Sequence, residues 1–137
     1  KHAFLVTNTQ DTNQNKNIEY NILPLWQHQK IKDHQINILS DTNHVNYYYF
    51  KNLRIAQVYD NSLLNYQPQT RLKADYIILS NNVNINIDKL SEYFEFKLLV
   101  FDSSNSYYQI SNWIKQCKKL NISFYSILEN GAYVKYL

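Results

Sequence analysis

Apolar positions along the chain fall into short runs, and their period changes near residue 74. The leading half is strand-like. His2-Ala3-Phe4-Leu5-Val6-Thr7 predicts a short strand, and the Asn-, Gln- and Thr-rich run from Asn8 to Asn17 predicts a polar loop. Ile18 to Leu25 reads as a strand, with Pro24 near its end or on an edge because proline cannot donate to a ladder. Gln35 to Leu39 alternates apolar and polar side chains, the period of a half-buried strand. Asn46-Tyr47-Tyr48-Tyr49-Phe50 and Leu53-Arg54-Ile55-Ala56-Gln57-Val58-Tyr59 are β-prone runs with Lys51-Asn52 between them, a spacing that predicts a tight hairpin. Asp60 to Lys73 is polar, carries Pro68 and reads as a connection.

In the second half, continuous apolar runs alternate with helical periods. Tyr76-Ile77-Ile78-Leu79, Leu98-Leu99-Val100-Phe101 and Ile122-Ser123-Phe124-Tyr125-Ser126-Ile127 predict three strands, the first two covered on both faces. Between them Ile87, Leu90 and Phe94 follow i, i+3, i+7, and Ile110, Trp113, Ile114 and Cys117 follow i, i+3, i+4, i+7. Strand–helix–strand–helix–strand implies right-handed crossovers and a parallel sheet. Glu129-Asn130-Gly131 predicts a turn in which the chain's single Gly takes a positive φ, and Ala132 to Leu137 a closing strand. The expected fold class is α/β: a β-rich first half, then a βαβαβ unit and a terminal strand. One domain over 1–137 is expected, with subdomains 1–73 and 74–137.

Composition narrows the function classes. An apolar share of 45% marks a globular chain, and no stretch of 18 apolar residues is available to span a membrane. The start KHAFLV has neither an initiator Met nor a signal-like pattern, so a piece of a longer protein is expected. The 19 Asn and 13 Tyr belong to A/T-rich codons, which accounts for much of their excess before function is invoked. The net charge of +3 comes from the first 73 residues, with eight Lys/Arg against five Asp/Glu; the rest hold six of each. That bias permits weak affinity for a polyanion without demanding it. Cys117 can form no internal disulfide, and on the apolar side of a helix it reads as a buried, inert thiol. His2, His28, His34 and His44 show no HxH, HxxxH or HExxH spacing, so no metal site and no cofactor are expected. One Gly excludes a GxSxG elbow and a phosphate loop.

Candidate sites follow from topology. In an open α/β sheet the crevice lies at the carboxyl ends of parallel strands. Two polar loops are expected there on one edge: Ser80-Asn81-Asn82, and Asp102-Ser103-Ser104-Asn105. One reading is a ligand or phosphate contact. The other is turn formation and capping, with Ser106 and Gln109 as a capping box and Asn86 as the cap of the earlier helix. Tyr47 to Phe50 suggests a base-stacking platform, but rings on a strand alternate faces, so at most two line one surface. Lys115, Lys118 and Lys119 cluster near a helix C-terminus, where they complement the dipole, form a solvated face or meet phosphates.

The order ADYIILSNN, LSEYFEFKLLVFDSSNS, WIKQCKKLNI and ENGAYVKYL over 74–137 resembles the C-terminal end of ComEC-type competence proteins. The matching positions are Asp102, Ser104, Asn105, Trp113, Lys115, Lys118, Lys119, Gly131, Ala132 and Tyr133; the match over 1–73 is loose. The resemblance implies a reduced metallo-β-lactamase-like domain, part of an αββα sandwich. Its setting would be a membrane protein that takes transforming DNA across the bacterial inner membrane, with this domain on the periplasmic side. The HxHxDH motif of better-equipped relatives is absent, which argues against hydrolase chemistry.

Three functions are therefore carried forward. The first is a non-catalytic accessory domain of a DNA-uptake channel, partnered by the membrane-embedded remainder of its own chain. In it, Lys115, Lys118, Lys119 and the loop at Asp102 contact incoming single-stranded DNA. The second is a metal-dependent nuclease or phosphodiesterase whose ligands lie upstream. The third is a small α/β protein-interaction module.

Overall fold

The computed structural model describes residues 2–8, 33–39, 45–50, 52–65 and 67–135, of which 2–8 and 33–39 are described as backbone. The strand read over Ile18 to Leu25, the polar run after Asn8, His28 and His44 lie outside the described residues. The chain divides into two units, 1–43 and 44–137. In the first, β1 (His2–Asn8) and β2 (Asp33–Leu39) pair in parallel, His2 opposite Asp33 and Asn8 opposite Leu39.

The second unit runs, in chain order, β3 (Val45–Phe50), β4 (Leu53–Val58), a 3₁₀ turn (Ser62–Asn65), β5 (Leu72–Lys73), β6 (Tyr76–Leu79), α1 (Ile87–Tyr93), β7 (Phe94–Glu95), β8 (Leu98–Phe101), α2 (Tyr107–Leu120), β9 (Phe124–Ser126) and α3 (Ile127–Asn130). Its main sheet has the order β3-β4-β6-β8-β9; β5 and β7 form a separate parallel pair. The predicted hairpin closes antiparallel between β3 and β4, and every other pairing in the main sheet is parallel. The fold is α/β. The change of composition near residue 74 lies within this sheet, between β4 and β6.

Residues in register share a sheet face. Ala56, Ile77, Leu99 and Phe124 make one row, and Val58, Leu79, Phe101 and Ser126 the next. Onto these rows α1 sets Ile87 and Leu90, and α2 sets Ile110, Trp113 and Cys117, forming the core. The Phe101 ring lies 5.3 Å from Trp113 and 5.9 Å from Phe124. The opposite face carries Tyr48, Gln57, Tyr76, Val100 and Tyr125. Tyr133 folds over it, 5.7 Å from Tyr76 and 5.0 Å from Tyr125.

Three sequence expectations need correction. Phe94 continues the apolar stripe of α1 and is buried, yet the helix stops at Tyr93 and Phe94 is extended because β7 pairs with β5. The strand read over Ile122 to Ile127 shortens to Phe124–Ser126, with Ile127 opening α3. Residues 132–135 form no strand. The Tyr125 hydroxyl donates to the Asn130 carbonyl at 3.1 Å with the Ala132 carbonyl at 3.4 Å, so side chains hold the tail on the sheet face. Gly131 does take a positive φ, 76°, in the turn before it.

Candidate functional site at the carboxyl edge of the sheet

Parallel pairing of β6 with β8 brings Ser80–Asn82 and Asp102–Asn105 to one edge. The Asp102 amide donates to the Leu79 carbonyl at 3.2 Å, carrying the ladder one residue past the strand end. Asn81 and Asn82 have φ of 57° and 51°, and the Val83 amide donates back to the Ser80 carbonyl at 3.2 Å. Two successive positive φ angles make a mirror-image tight turn, and Asn is among the few L residues that enter this region readily. The paired asparagines therefore have a conformational cause.

The two loops are bound to each other. Asp102 Oδ1 accepts from the Ser104 amide at 2.9 Å, the Ser104 hydroxyl at 2.5 Å and Asn105 Nδ2 at 3.1 Å. Asp102 Oδ2 accepts from the buried Ser80 hydroxyl at 2.5 Å. Ser104 Oγ in turn accepts from the Asn81 amide at 2.7 Å. Asn105 is buried, accepting from the Asn82 amide at 2.9 Å and donating to the Leu79 carbonyl at 2.6 Å. Asn82 Oδ1 accepts from the Ser106 amide at 2.6 Å. Both Asp102 oxygens thus serve the turn. These bonds to the carboxylate are charge-assisted and among the stronger ones in a fold.

The helix starts are corrected in the same way. Ser106 caps α2, accepting from the Gln109 amide at 3.3 Å, but the other half of the expected box is missing. The Gln109 side chain donates to the Val83 carbonyl at 3.3 Å, while Asn82 serves the Ser106 amide. Asn86 occupies the cap position of α1 without a side-chain bond; Gln116 of α2 accepts from the Ile87 amide at 2.8 Å instead.

Sequence reasoning missed a polar row that leads to this edge. Tyr48 donates to Gln57 Oε1 at 3.3 Å, Gln57 Nε2 donates to the Ser80 hydroxyl at 3.0 Å, and Ser80 donates to Asp102. Every donor points toward the carboxylate across β3, β4, β6 and β8. The available signal was Gln57 itself, a polar residue between apolar neighbours in a strand. Asp75, at the opposite end of β6, was also missed. It is buried, takes the Arg54 amide at 3.0 Å and Arg54 Nε at 3.2 Å on Oδ2, and pairs with Lys97 Nζ at 2.7 Å on Oδ1. The Lys97 hydrogen bond first, then those of Arg54, hold its carboxyl well below the usual range.

The lysines stand apart from the loops. Lys115, Lys118 and Lys119 are exposed, the last two in the final turn of α2. At about 1.5 Å per residue they lie ~14–20 Å along the axis from the Ser106 cap. Burial pushes the Cys117 thiol up to about 12, an unreactive state. Of the stacking run, Tyr48 is buried, while Tyr47 and Tyr49 share the other face; Tyr47 stacks on Phe94 at 6.3 Å. Among the described residues, no three His, Cys, Asp or Glu side chains come together as metal ligands, and no helix is long and apolar enough to cross a membrane.

The sequence profile of the ComEC C-terminal domain matches residues 1–137, the whole chain. No curated protein and no solved structure matches it. The chain belongs to the ComEC C-terminal domain family, from the inner-membrane proteins of competence and DNA uptake.

Proposed function

We propose that this ComEC C-terminal domain is a non-catalytic accessory domain of the DNA-uptake channel, on the periplasmic side of the inner membrane. In this reading Lys115, Lys118 and Lys119 contact incoming single-stranded DNA. The observation that carries the non-catalytic part is the bonding of Asp102. It is the one carboxylate among Ser80, Asn81, Asn82, Ser104 and Asn105, and both of its oxygens accept hydrogen bonds that tie the two loops together. A metallo-β-lactamase-like centre draws on several His and Asp ligands. A Ser and Asn set with one carboxylate, itself hydrogen-bonded to both loops, does not fit such a centre. The likeness to that fold enters the proposal as architecture alone. The loops at this edge then support the start of α2 rather than hold a ligand of their own. Support for the DNA contact comes from α2, which carries three exposed lysines and no acidic residue.

The test takes labelled single- and double-stranded DNA with this chain and with the longer protein, with Mn²⁺ or Zn²⁺ and with chelator. No cleavage is expected under any of these conditions. Single-strand binding should weaken as salt rises, with a log–log slope of about −0.7 per phosphate contacted. Replacing the three lysines with Gln should weaken binding and flatten that slope. Metal-dependent cleavage that disappears in Asp102→Ala would overturn the reading.

A further inference from the structure

Several of the described tyrosines are put to use inside the fold, whereas Tyr49, 71% exposed, stands on β3, outside the lysine row of α2. Tyr48, Tyr76 and Tyr93 are buried, and Tyr125 and Tyr133 pack ring against ring. Tyr107 and Tyr108, in the first turn of α2, are 67% and 76% exposed. A helix repeats every 3.6 residues, so Tyr108, Asn112, Lys115 and Lys119 lie in one row, flanked by Tyr107, Ser111 and Lys118. Resting on the DNA-contact reading above, we infer that this row is a track for single-stranded DNA, with Tyr107 and Tyr108 stacking on bases and Lys115, Lys118 and Lys119 meeting phosphates.

Three observations support it. The row pairs aromatic rings with cations and holds no acid, the combination that single-strand binding surfaces use. Tyr108 and Lys115 are two turns apart, about 10 Å along the axis, and Lys119 is ~16 Å away, so one strand could engage both ends. The rings also stand on a fixed base. Ser106 caps the helix, Asn82 holds the Ser106 amide and Gln109 reaches the Val83 carbonyl, so little ordering remains to be done on binding. An anionic membrane surface would also attract the lysines. It calls for an apolar helix face, however, whereas Ser111 and Asn112 separate the rings from the lysines and Leu120 lies off the row.

The experiment compares a short mixed-sequence oligodeoxynucleotide with an abasic one of equal length and charge, by fluorescence anisotropy on the full chain. The wild type should prefer the base-bearing strand roughly tenfold, within the range of aromatic–base stacking. Tyr107→Ser with Tyr108→Ser should remove that preference and leave the salt slope unchanged. Phe at both positions should keep the preference. Lys-to-Gln replacement should weaken both strands together and retain it. Equal affinity of the wild type for the two strands, or a preference that survives the Ser variant, would overturn the track while leaving DNA contact standing. No binding to either strand would overturn both. Tyrosine-dependent binding to anionic vesicles without binding to DNA would replace the occupant proposed here.

Discussion

Asn105 has a donor end and an acceptor end, and the fold uses both. Its amide bridges the Leu79 carbonyl at the end of β6 and the Asn82 amide in the facing turn, at a position 4% exposed to solvent. Truncation leaves the Asn82 amide without its partner, while the Leu79 carbonyl keeps only the longer bond from the Asp102 amide at 3.2 Å; a polar group left unpaired costs about 1–3 kcal/mol. Asn105→Ala is therefore expected to lower unfolding free energy by roughly 1–3 kcal/mol in denaturant titrations. Asn81 is a contrasting case. Its φ of 57° is one that Gly adopts freely, so Asn81→Gly should change stability by no more than about 0.5 kcal/mol. Asn81→Val, β-branched at the same φ, should cost about 1–2 kcal/mol. If Asn105→Ala proved as mild as Asn81→Gly, the hydrogen-bonded loop pair would not be holding this edge. Asp102 belongs to the same argument. The sequence left Asp102 between a ligand contact and a turn; in the fold it accepts from Ser80, Ser104 and Asn105 and organises a turn.

At the scale of elements, α2 has two roles: its apolar stripe covers the sheet, and its polar side chains finish its neighbours. The stripe was legible, because Ile110, Trp113 and Cys117 recur at the helical period and all three are buried. The two runs Tyr76–Leu79 and Leu98–Phe101 were legible to the residue, since a continuous apolar stretch of that length bounded by polar residues fits a buried strand. The long-range partners were not. Gln116 accepts from the Ile87 amide, 29 residues away, and Trp113 Nε1 donates to the Ile85 carbonyl at 2.9 Å; no local pattern marks either. The terminal segment misled for the same reason. Its β-prone residues say nothing of the Tyr125 hydroxyl that takes up its carbonyls. The capping role of Gln116 gives a specific expectation. Gln116→Ala should cost about 1 kcal/mol, as loss of a helix cap does. The change in amide exchange should concentrate at the first turn of α1 rather than in α2, where the substitution sits. Uniform loss of protection across both helices would mean that Gln116 contributes packing and not a cap.

For the larger unit as a whole, 44–137, the two ends of the sheet are closed by different means. The carboxyl edge is bound by neutral amides and hydroxyls gathered on Asp102. The amino edge is closed by charge: Asp75 joins β4 through Arg54 and reaches Lys97 just before β8, while its carbonyl also accepts from the Lys97 amide at 3.2 Å and the Leu98 amide at 3.3 Å. The charged end should respond to acid. The Asp75 carboxyl is held below its unfolded value, so its contribution is complete above the ordinary carboxylate range, near pH 4, and is lost as pH falls from there through the depressed folded value. Asp75→Asn keeps the shape and removes the charge. At neutral pH it should be less stable by about 1–3 kcal/mol, the range for hydrogen bonds to a charged group. The low end of that range is expected, because the Arg54 and Lys97 side chains are 40% and 77% exposed and water screens both pairs. Both proteins share every other carboxylate, so the gap between their denaturant midpoints isolates this one. It should be constant from neutral pH down to about pH 5 and shrink steadily below about pH 4. A gap that stays constant through acid would mean that Asp75 contributes through hydrogen-bond geometry alone, and that its charge plays no part in joining β4 to the loop before β8.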